Sequence, residues 1–250
     1  MNITLLAHTK LSTDMYLKLS ENNFITLVGN NIVDGQVVAL AAIRQCYSHK
    51  TALEVLETES EKYFGDKGKE GKRLFDHIMK SKHTSTMEHI HFTFAAEGVS
   101  RALLAQLTRH RQLSFSVQSQ RYNKFSSDSR SGGFDYVTPK TIEESGKVVY
   151  DERHNTGGAI QTFYKQCMSD IQKMYDQMIE FGIPQEDARS VLPNATACNL
   201  VVSGNLRAWL EFYSKRKKGN GAQVEIAEFA EGIKNAIIEV EPWTSDYFEG

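Results

Sequence analysis

The amino-acid sequence predicts an α+β fold, in which mixed helices accompany a small, mainly antiparallel sheet. Several segments carry apolar residues at helical spacing, whereas only a few short segments show the apolar and polar alternation of strands. The chain also has no internal repeat and no segment with the composition of a linker. We therefore expect residues 1–250 to form a single domain, and a chain of this length can bury a substantial core.

Two segments are predicted as strands. Ile3–Ala7 is short, apolar and followed by polar residues, as expected for a first strand. Thr86–Ala96 alternates, and its apolar residues Ile90, Phe92 and Phe94 would share one face. The other face of that strand would be formed by Met87, His89, His91 and Thr93. One face of the sheet is then expected in the core and the other is expected to be accessible.

Helical spacing predicts most of the remaining elements. Helices are expected at Val37–Cys46, at Arg101–Arg111, at Ile160–Met178, from an N-cap at Asn205 to the basic run Lys215–Lys218, and at Ile226–Ile238. Ile160–Met178 is the clearest of them, with Gly182 and Pro184 as stop signals. The stretch Leu53–Lys80 is expected to form helical segments that are interrupted at Gly65, Gly68 and Gly71.

The composition argues against several classes of protein. A formal charge of -2, from 29 basic and 31 acidic residues, gives no general reason to expect a nucleic-acid partner. Three cysteines at wide spacing fit a reducing compartment rather than a disulfide framework. No segment has the ~20 apolar residues that span a bilayer, and the N-terminus lacks a signal-peptide pattern. We expect a cytoplasmic protein without a membrane partner, in which any anion site is local.

Polar donors are concentrated in one segment, Arg109–Tyr122. Three arginines, one histidine, three serines and three glutamines lie within these fourteen residues, beginning where a helix is expected to end. Such a segment can direct several fixed donors at phosphate oxygens. The same residues are also compatible with a solvated basic helix end, because the helix dipole favours cations there.

The pattern of this segment resembles the signature of the flavin-dependent thymidylate synthases. Arg109-His110-Arg111 is followed after seven residues by Ser119, and the match continues through Arg121-Tyr122. Other segments resemble the same family in the same order: His83 with Glu88-His89-Ile90, Ala188-Arg189 with Val191-Leu192-Pro193, Asn205-Leu206-Arg207, and Arg216 followed by Ala222-Gln223-Val224-Glu225-Ile226. The resemblance covers most of the chain, from about Gln36 to Thr244.

The resemblance implies an enzyme that converts dUMP to dTMP. It implies a homotetramer with FAD sites between subunits, dUMP stacked on the isoalloxazine ring, 5,10-methylenetetrahydrofolate as carbon donor and NADPH as reductant. By position, the residues implied to hold FAD are His83, Arg109, His110, Arg111, Asn205, Leu206, Arg207 and Glu211, with Ser85 contributed by another subunit. The residues implied to hold dUMP are Gln106, Arg109, Ser119, Gln120, Arg121, Arg189 and Arg216.

The residue types suit this chemistry. C5 of uracil becomes nucleophilic when electron density is pushed through the ring, and a fixed cation near N3 stabilises the developing negative charge. Arg216 is the catalytic candidate for that cation, because a guanidinium stays protonated and presents several donors in one plane. Arg121 and Arg189 suit the nucleotide phosphate. Ser119 is the second catalytic candidate, for which we expect a positioning role because no His-Asp relay is evident that would activate its hydroxyl.

Two features depart from the family pattern. Val117 stands where many members carry an acidic residue, so a carboxylate role is absent at that position. The run Lys217–Gly221 is slightly longer than usual and lacks the common histidine before Ala222. Lys217 therefore competes with Arg216 for the position of the activating cation.

Three other interpretations are weaker. His83, His89 and His91 could hold a metal, but their spacing matches no common zinc pattern, and no metal is expected. Cys198 could be the nucleophile of a flavin-free thymidylate synthase, but no neighbouring base or cation would lower the pKa of its thiol. The Lys215–Lys218 run could bind nucleic acid, but no aromatic residues are interleaved with it.

Overall fold

The structure of the protein, a computed structural model, describes residues 1–21 and 32–249. In these ranges the strands are β1 (Asn2–His8), β2 (His91–Ser100), β3 (Ser114–Val117), β4 (Val148–Asp151), β5 (Thr156–Ala159) and β6 (Ala197–Asn205). Four of them form a sheet in the order β1-β2-β6-β3, and each neighbouring pair is antiparallel. β4 and β5 form a separate antiparallel hairpin. The predicted α+β fold with a small antiparallel sheet is therefore confirmed.

Helices make up most of the rest of the described chain. They are α1 (Thr13–Glu21), α2 (Asp34–Tyr47), α3 (Ala52–Phe64), α4 (Lys69–Lys80), α5 (Arg101–Leu107), α6 (Lys140–Glu143), α7 (Ile160–Glu180), α8 (Gln185–Ala188), α9 (Leu206–Arg216), α10 (Val224–Val240) and α11 (Ser245–Phe248). Short 3₁₀ helices occur at Asp66–Gly68, Thr84–His89, Arg189–Val191 and Pro242–Thr244. The helices predicted around α2, α7, α9 and α10 are confirmed, and none of the described helices is long and apolar enough to cross a membrane.

The predicted strand Thr86–Ala96 is wrong in its first half. β2 begins at His91, and the preceding residues form the 3₁₀ helix Thr84–His89. Met87 and Ile90 are both fully buried, three residues apart, which is the repeat of a 3₁₀ turn rather than of a strand. The carbonyl of Met87 accepts a hydrogen bond from the Ile90 N–H, which closes this turn. Phe92 and Phe94 are buried as predicted.

The helix predicted at Arg101–Arg111 ends earlier, at Leu107. The His110 N–H donates to the Leu107 carbonyl and the Leu113 N–H donates to the His110 carbonyl, so two tight turns follow the helix. Ser114 then enters the sheet opposite Ser203. The reversal into β3 is therefore what ends the helix before its basic residues.

Two of the three predicted glycine interruptions in Leu53–Lys80 are confirmed. Gly65 caps α3, and Gly68 has a φ of +72°, a conformation that glycine adopts without strain. The third prediction is wrong, because Gly71 lies inside α4 and is buried. A Cβ atom at Gly71 would lie 2.5 Å from the carbonyl oxygen of Tyr63, so this glycine allows α4 to approach α3 closely.

The core has two clusters of buried apolar residues. The larger cluster lies between the sheet, α2, α9 and α10, and its aromatic rings meet edge to face, as Phe94 and Trp209 do at 5.3 Å. The smaller cluster packs around Tyr175 of α7. Only Met168 and Tyr175 of α7 are fully buried, and Met174 is half exposed. The apolar stripe of α7, predicted as a packing face, is thus only partly covered within one chain.

Candidate active site

The donor-rich segment is positioned by the two ends of α5. At its first turn, the hydroxyl of Ser100 accepts a hydrogen bond from the Leu103 N–H at 3.0 Å. The carboxylate of Glu225 in α10 accepts from both the N–H and the hydroxyl of Ser100, at 2.7 and 2.6 Å. At the other end, the side-chain amide of Gln106 donates to the Gln223 side chain at 2.5 Å. The residues around the start of α10 therefore fix the helix that leads into Arg109-His110-Arg111.

The last turn of α9 brings Arg216 to this segment. Nε of Arg216 donates to Nε2 of His110 at 3.1 Å, and Nη2 donates to the Gln106 carbonyl at 3.4 Å. The His110 ring meets the Phe212 ring edge to face, with centroids 4.9 Å apart. The structure thus brings together three of the predicted residues, Gln106, His110 and Arg216.

Lys217, the competing position, is placed differently. It is the residue that caps α9, and its backbone N–H donates to the Tyr213 carbonyl. Its side chain makes no hydrogen bond or ion pair to residues 1–21 or 32–249. Of the two candidates, Arg216 is therefore the one whose side chain contacts the predicted site residues His110 and Gln106.

The surroundings of His110 disfavour its charged form. Burial of the ring lowers the pKa of His110, and the positive charges of Arg216, Lys215 and Arg109 lower it further. The carboxylate of Glu211 acts in the opposite direction. His110 is accordingly neutral near neutral pH, with Nε2 free of a proton and able to accept a hydrogen bond.

The other residues predicted to hold FAD have mixed environments. Arg109 and Arg111 are exposed and make no hydrogen bond or ion pair within the described ranges. Arg207 forms an ion pair with Glu88 at 2.5 Å, and Glu211 pairs with Lys215 at 2.5 Å. The two arginines of the motif are therefore available to a ligand, whereas Arg207 and Glu211 have protein partners.

Two predicted residues have structural roles at the start of α9. The side-chain oxygen of Asn205 accepts a hydrogen bond from the Ala208 N–H at 2.9 Å, which confirms the predicted N-cap. Leu206 is fully buried, so its side chain belongs to the core. Elsewhere, His83 is exposed and its Nδ1 shares a hydrogen bond with the Tyr47 hydroxyl, and Ser85 is exposed.

The residues predicted to hold the nucleotide phosphate meet at one residue, Glu186. Nε of Arg121 donates to the Glu186 carboxylate at 2.6 Å, and Nε of Arg189 donates to the Glu186 carbonyl at 2.8 Å. The Ser119 hydroxyl accepts from the Arg121 N–H at 3.1 Å, which orients the start of this segment. Gln185 also donates to the Arg121 carbonyl. Arg121, Arg189 and Ser119 are thus held in one network.

Gln120 carries an unsatisfied polar atom beside that network. Its side chain is buried, and Nε2 has no hydrogen-bond partner in the described part of the chain. A buried donor without a partner is unfavourable, so a ligand oxygen or a neighbouring chain that accepted this hydrogen bond would stabilise it.

Three residues of these networks were missed by sequence reasoning. Glu186 contacts Arg121 across 65 positions, Gln223 contacts Gln106 across 117, and Glu88 contacts Arg207 across 119. Gln223 and Glu88 lie in segments that resemble the family, but nothing in their local pattern predicts these partners. Such contacts depend on how distant elements pack, which one sequence does not display.

The structure bears on two of the alternative interpretations, the thiol nucleophile and the metal site. Cys198 is buried in β6, and burial raises the pKa of its thiol, which disfavours the thiolate form needed for attack. The prediction that no cation lies near the thiol is wrong, because Arg101 is placed beside Cys198 and acts to lower the pKa, but burial has the larger effect. No group of three or more His, Cys, Asp or Glu residues among those that the structure describes could hold a metal ion. A cavity of about 660 Å³ is lined by Phe64, Phe75 and Trp243, among others, and by none of the predicted site residues.

Comparisons with known proteins agree with the signature. The family model for the thymidylate synthase complementing protein matches residues 27–243. A flavin-dependent thymidylate synthase of Nitratidesulfovibrio vulgaris is 38% identical over 207 residues, which cover 81% of this chain and 77% of the relative. One from Haloarcula marismortui is 34% identical over 197 residues, covering 74% and 78%.

A solved structure shares the fold. A UMP/dUMP methylase, PolB, from Streptomyces cacaoi, bound with 5-Br dUMP, superposes with a TM-score of 0.68 at 20% sequence identity. The match covers 99% of this chain and 94% of that protein. The family model and the relatives lead to one conclusion: the chain belongs to the flavin-dependent thymidylate synthase family.

Proposed function

We propose that the protein is an FAD-dependent thymidylate synthase that converts dUMP to dTMP. The carbon donor is 5,10-methylenetetrahydrofolate and the reductant is NADPH. The observation that carries the proposal is the motif Arg109-His110-Arg111 with Ser119, together with Arg216 lying against it. The names of the relatives, and that of the methylase with the same fold, support the same activity.

The proposed reaction balances as a methylation coupled to a reduction. The C5–H bond of uracil breaks and its proton leaves, while a new bond joins C5 to the methylene carbon of the folate. That carbon becomes a methyl group only by gaining a hydride, so NADPH is oxidised to NADP⁺ and the folate leaves as tetrahydrofolate. When bound, FAD would supply the hydride transfer between the nicotinamide and the nucleotide.

The residues present fit FAD. The cofactor carries two phosphates, and Arg109 and Arg111 are exposed cations without a protein partner among the described residues. Arg207 is a third cation, paired with Glu88. The proposal requires cations that compensate for the negative charge of the FAD diphosphate, and these three arginines meet that requirement.

The residues present also fit a nucleotide monophosphate. Arg121 and Arg189 offer guanidinium groups that match a phosphate, and Gln120 offers a buried donor in need of an acceptor. Glu186 now accepts a hydrogen bond from Arg121, so a phosphate would have to replace a carboxylate there. Ser119 then acts as a positioning residue beside Arg121 rather than as a nucleophile.

Arg216 supplies the electrostatic part of the mechanism. Its guanidinium is permanently protonated, and contacts with His110 and Gln106 restrict its orientation. A fixed positive charge near N3 of uracil stabilises the charge that develops as C5 attacks, without reorganising during the reaction. The side chain of Val117 adds no carboxylate to this arrangement.

The proposal includes a cytoplasmic homotetramer of single-domain chains with active sites between subunits, to which Ser85 of a second chain contributes. Two observations support an assembly. Apolar residues of α7 and of the accessible sheet face, such as Met174, Leu6 and Val201, are exposed in the isolated chain. In addition, no hydrogen bond among the described residues joins the Arg216 network to the Arg121 network, and sites between subunits would let one network from each of two chains act together.

The activity is tested on purified protein. We expect a yellow preparation with a flavin absorption spectrum, which forms dTMP from dUMP when methylenetetrahydrofolate and NADPH are present. A protein that neither retains nor takes up flavin, and that forms no dTMP, would contradict the proposal.

A further inference from the structure

The Arg216 guanidinium is anchored along one edge. Nε donates to Nε2 of His110 at 3.1 Å and Nη2 donates to the Gln106 carbonyl at 3.4 Å. Nη1 makes no hydrogen bond within residues 1–21 and 32–249. A planar group held at two of its three nitrogens has a fixed plane, and its remaining donors point in a fixed direction.

This arrangement requires one form of His110. Nε of an arginine always carries a proton and can only donate, so Nε2 of His110 must be an unprotonated acceptor. The ring proton then lies on Nδ1. Protonation of Nε2 would place an N–H donor of His110 opposite the N–H donor of Arg216. It would also place two positive charges next to each other, so the contact would be lost.

The groups that face His110 maintain its neutral form. From α9 these are Arg216, Lys215 and Glu211, and from its own segment Arg109. The ring of Phe212 packs edge to face against the imidazole and excludes water from that side. Partial burial, and then three cations against one carboxylate, keep the pKa of His110 below its ordinary value.

We propose that His110 is a positioning residue, whose neutral ring fixes the plane of Arg216 so that the free donors of the guanidinium meet the pyrimidine. The inference rests on the proposed function, and it assigns His110 a task beyond holding the flavin. His110 can no longer orient Arg216 when its ring is protonated, because an imidazolium cannot accept the hydrogen bond. Turnover should therefore fall on the acid side as His110 gains a proton, while the charge of Arg216 itself is unchanged.

The first experiment measures the bond without using activity. The imidazole signals of the eight histidines are followed by NMR in protein with isotope-labelled histidine, and His110 is assigned from the signal that is missing in His110→Gln. We expect the pKa of His110 to rise in Arg216→Leu, which removes both a hydrogen-bond donor and a charge. Arg109→Leu is the matched control: it removes one of the positive charges that lower the pKa of His110 but no side-chain hydrogen bond among the described residues, and it should have a much smaller effect. Equal effects of the two variants, or none, would overturn the inference.

The second experiment measures turnover. His110→Leu, which has no acceptor, should lower kcat at least tenfold with a smaller effect on KM for dUMP. His110→Gln, whose amide oxygen can accept from Arg216, should recover most of that loss. Because an amide does not titrate, the acid limb of the kcat profile should be absent in His110→Gln.

A double-mutant comparison separates this role from flavin binding. If His110 acts through Arg216, His110→Leu should have little further effect on kcat in an Arg216→Ala background, at equal flavin content. The same fold loss in both backgrounds would show that His110 acts independently, and the inference would fail. If wild-type protein formed no dTMP, the proposed function would fail instead, and the NMR comparison would still decide whether His110 orients Arg216.

Discussion

Arg216 reaches the donor-rich segment from the end of α9, more than a hundred residues away in sequence, and Nε lies 3.1 Å from His110. The sequence favours Arg216 over Lys217 because a guanidinium suits the role, but the longer run Lys217–Gly221 leaves the alignment between the two open. The side-chain contacts distinguish them, because only Arg216 is hydrogen-bonded to the motif. At the scale of residues, the proposed activation of uracil therefore depends on the orientation of a single guanidinium, that of Arg216.

Arg216→Ala should retain flavin but lose turnover. Removing a donor that stabilises transition-state charge lowers kcat by a factor of about 10² to 10³. Steady-state kinetics and the flavin absorption spectrum measure the two properties separately. Lys217→Ala is the control and should stay within a few-fold of wild type. A loss confined to Lys217→Ala would reverse the assignment.

Glu241 provides a second prediction at this scale, remote from the predicted ligand residues. The side chain is fully buried, and it accepts hydrogen bonds from the Gly35 N–H at 3.0 Å and from the Trp243 indole at 2.6 Å. Burial raises the pKa of Glu241 to about 7, and the hydrogen bonds only partly oppose that shift. The folded state therefore binds a proton that the unfolded chain releases at lower pH.

The sign of the pH effect follows from this difference. The contribution of Glu241 to the free energy of unfolding is fully present below the ordinary carboxyl pKa and is lost as pH rises through about 7. In Glu241→Gln this dependence should disappear, and the difference between the two proteins should change by about 3 kcal/mol from pH 4 to pH 8. Denaturant unfolding at several pH values measures it. Parallel pH profiles for the two proteins would contradict the prediction.

At the scale of elements, periodicity predicted α2, α7, α9 and α10 because their apolar stripes are long enough to exclude a strand. It failed at Met87 and Ile90, which alternation placed on opposite faces of a strand, whereas both are buried at the three-residue spacing of a 3₁₀ turn. It also failed at the end of α5, where pairing of Ser114 with Ser203 reverses the chain. In these cases the outcome is decided by partners from elsewhere in the fold.

At the scale of elements, we predict that Gly71 is needed for the close packing of α4 against α3. A Cβ there would lie 2.5 Å from the Tyr63 carbonyl, so Gly71→Ala should force α4 away from α3 and reduce the free energy of unfolding by about 1–3 kcal/mol. Thermal or denaturant unfolding measures the loss. Gly146→Ala is a matched control, because no atom lies within 4 Å of the added methyl group. A Gly71→Ala protein as stable as this control would show that the helices are not in close contact.

At the scale of the whole molecule, six of the predicted residues fall into two networks: Gln106 and His110 lie with Arg216, and Ser119 and Arg189 lie with Arg121 and Glu186. The resemblance predicted most members of both, including Arg189 and Arg216, which lie far from the signature segment in the sequence. It could not predict Glu186 or Gln223, whose contacts join distant segments. The structure of one chain also does not show which residues of a second chain would cover its exposed apolar surfaces.

Shared sites predict complementation between two inactive variants. Arg216→Ala removes the activating cation, and Ser85→Trp blocks the contribution of a second chain at an exposed position. In co-expressed mixed assemblies, random pairing leaves about one quarter of the sites with both residues intact, so activity should return. Each variant assembled alone serves as the control. Mixed assemblies as inactive as the single variants would indicate that each site is built from one chain.

The most direct test of the central claim follows the transferred carbon. Flavin-loaded protein is incubated with dUMP, NADPH and methylenetetrahydrofolate that carries an isotopic label on the methylene carbon, and the nucleotide product is analysed by mass spectrometry. The account predicts dTMP with the label in its 5-methyl group, and no such product when NADPH is omitted. Flavin-loaded protein that leaves dUMP unchanged, or that forms unlabelled dTMP, would contradict it.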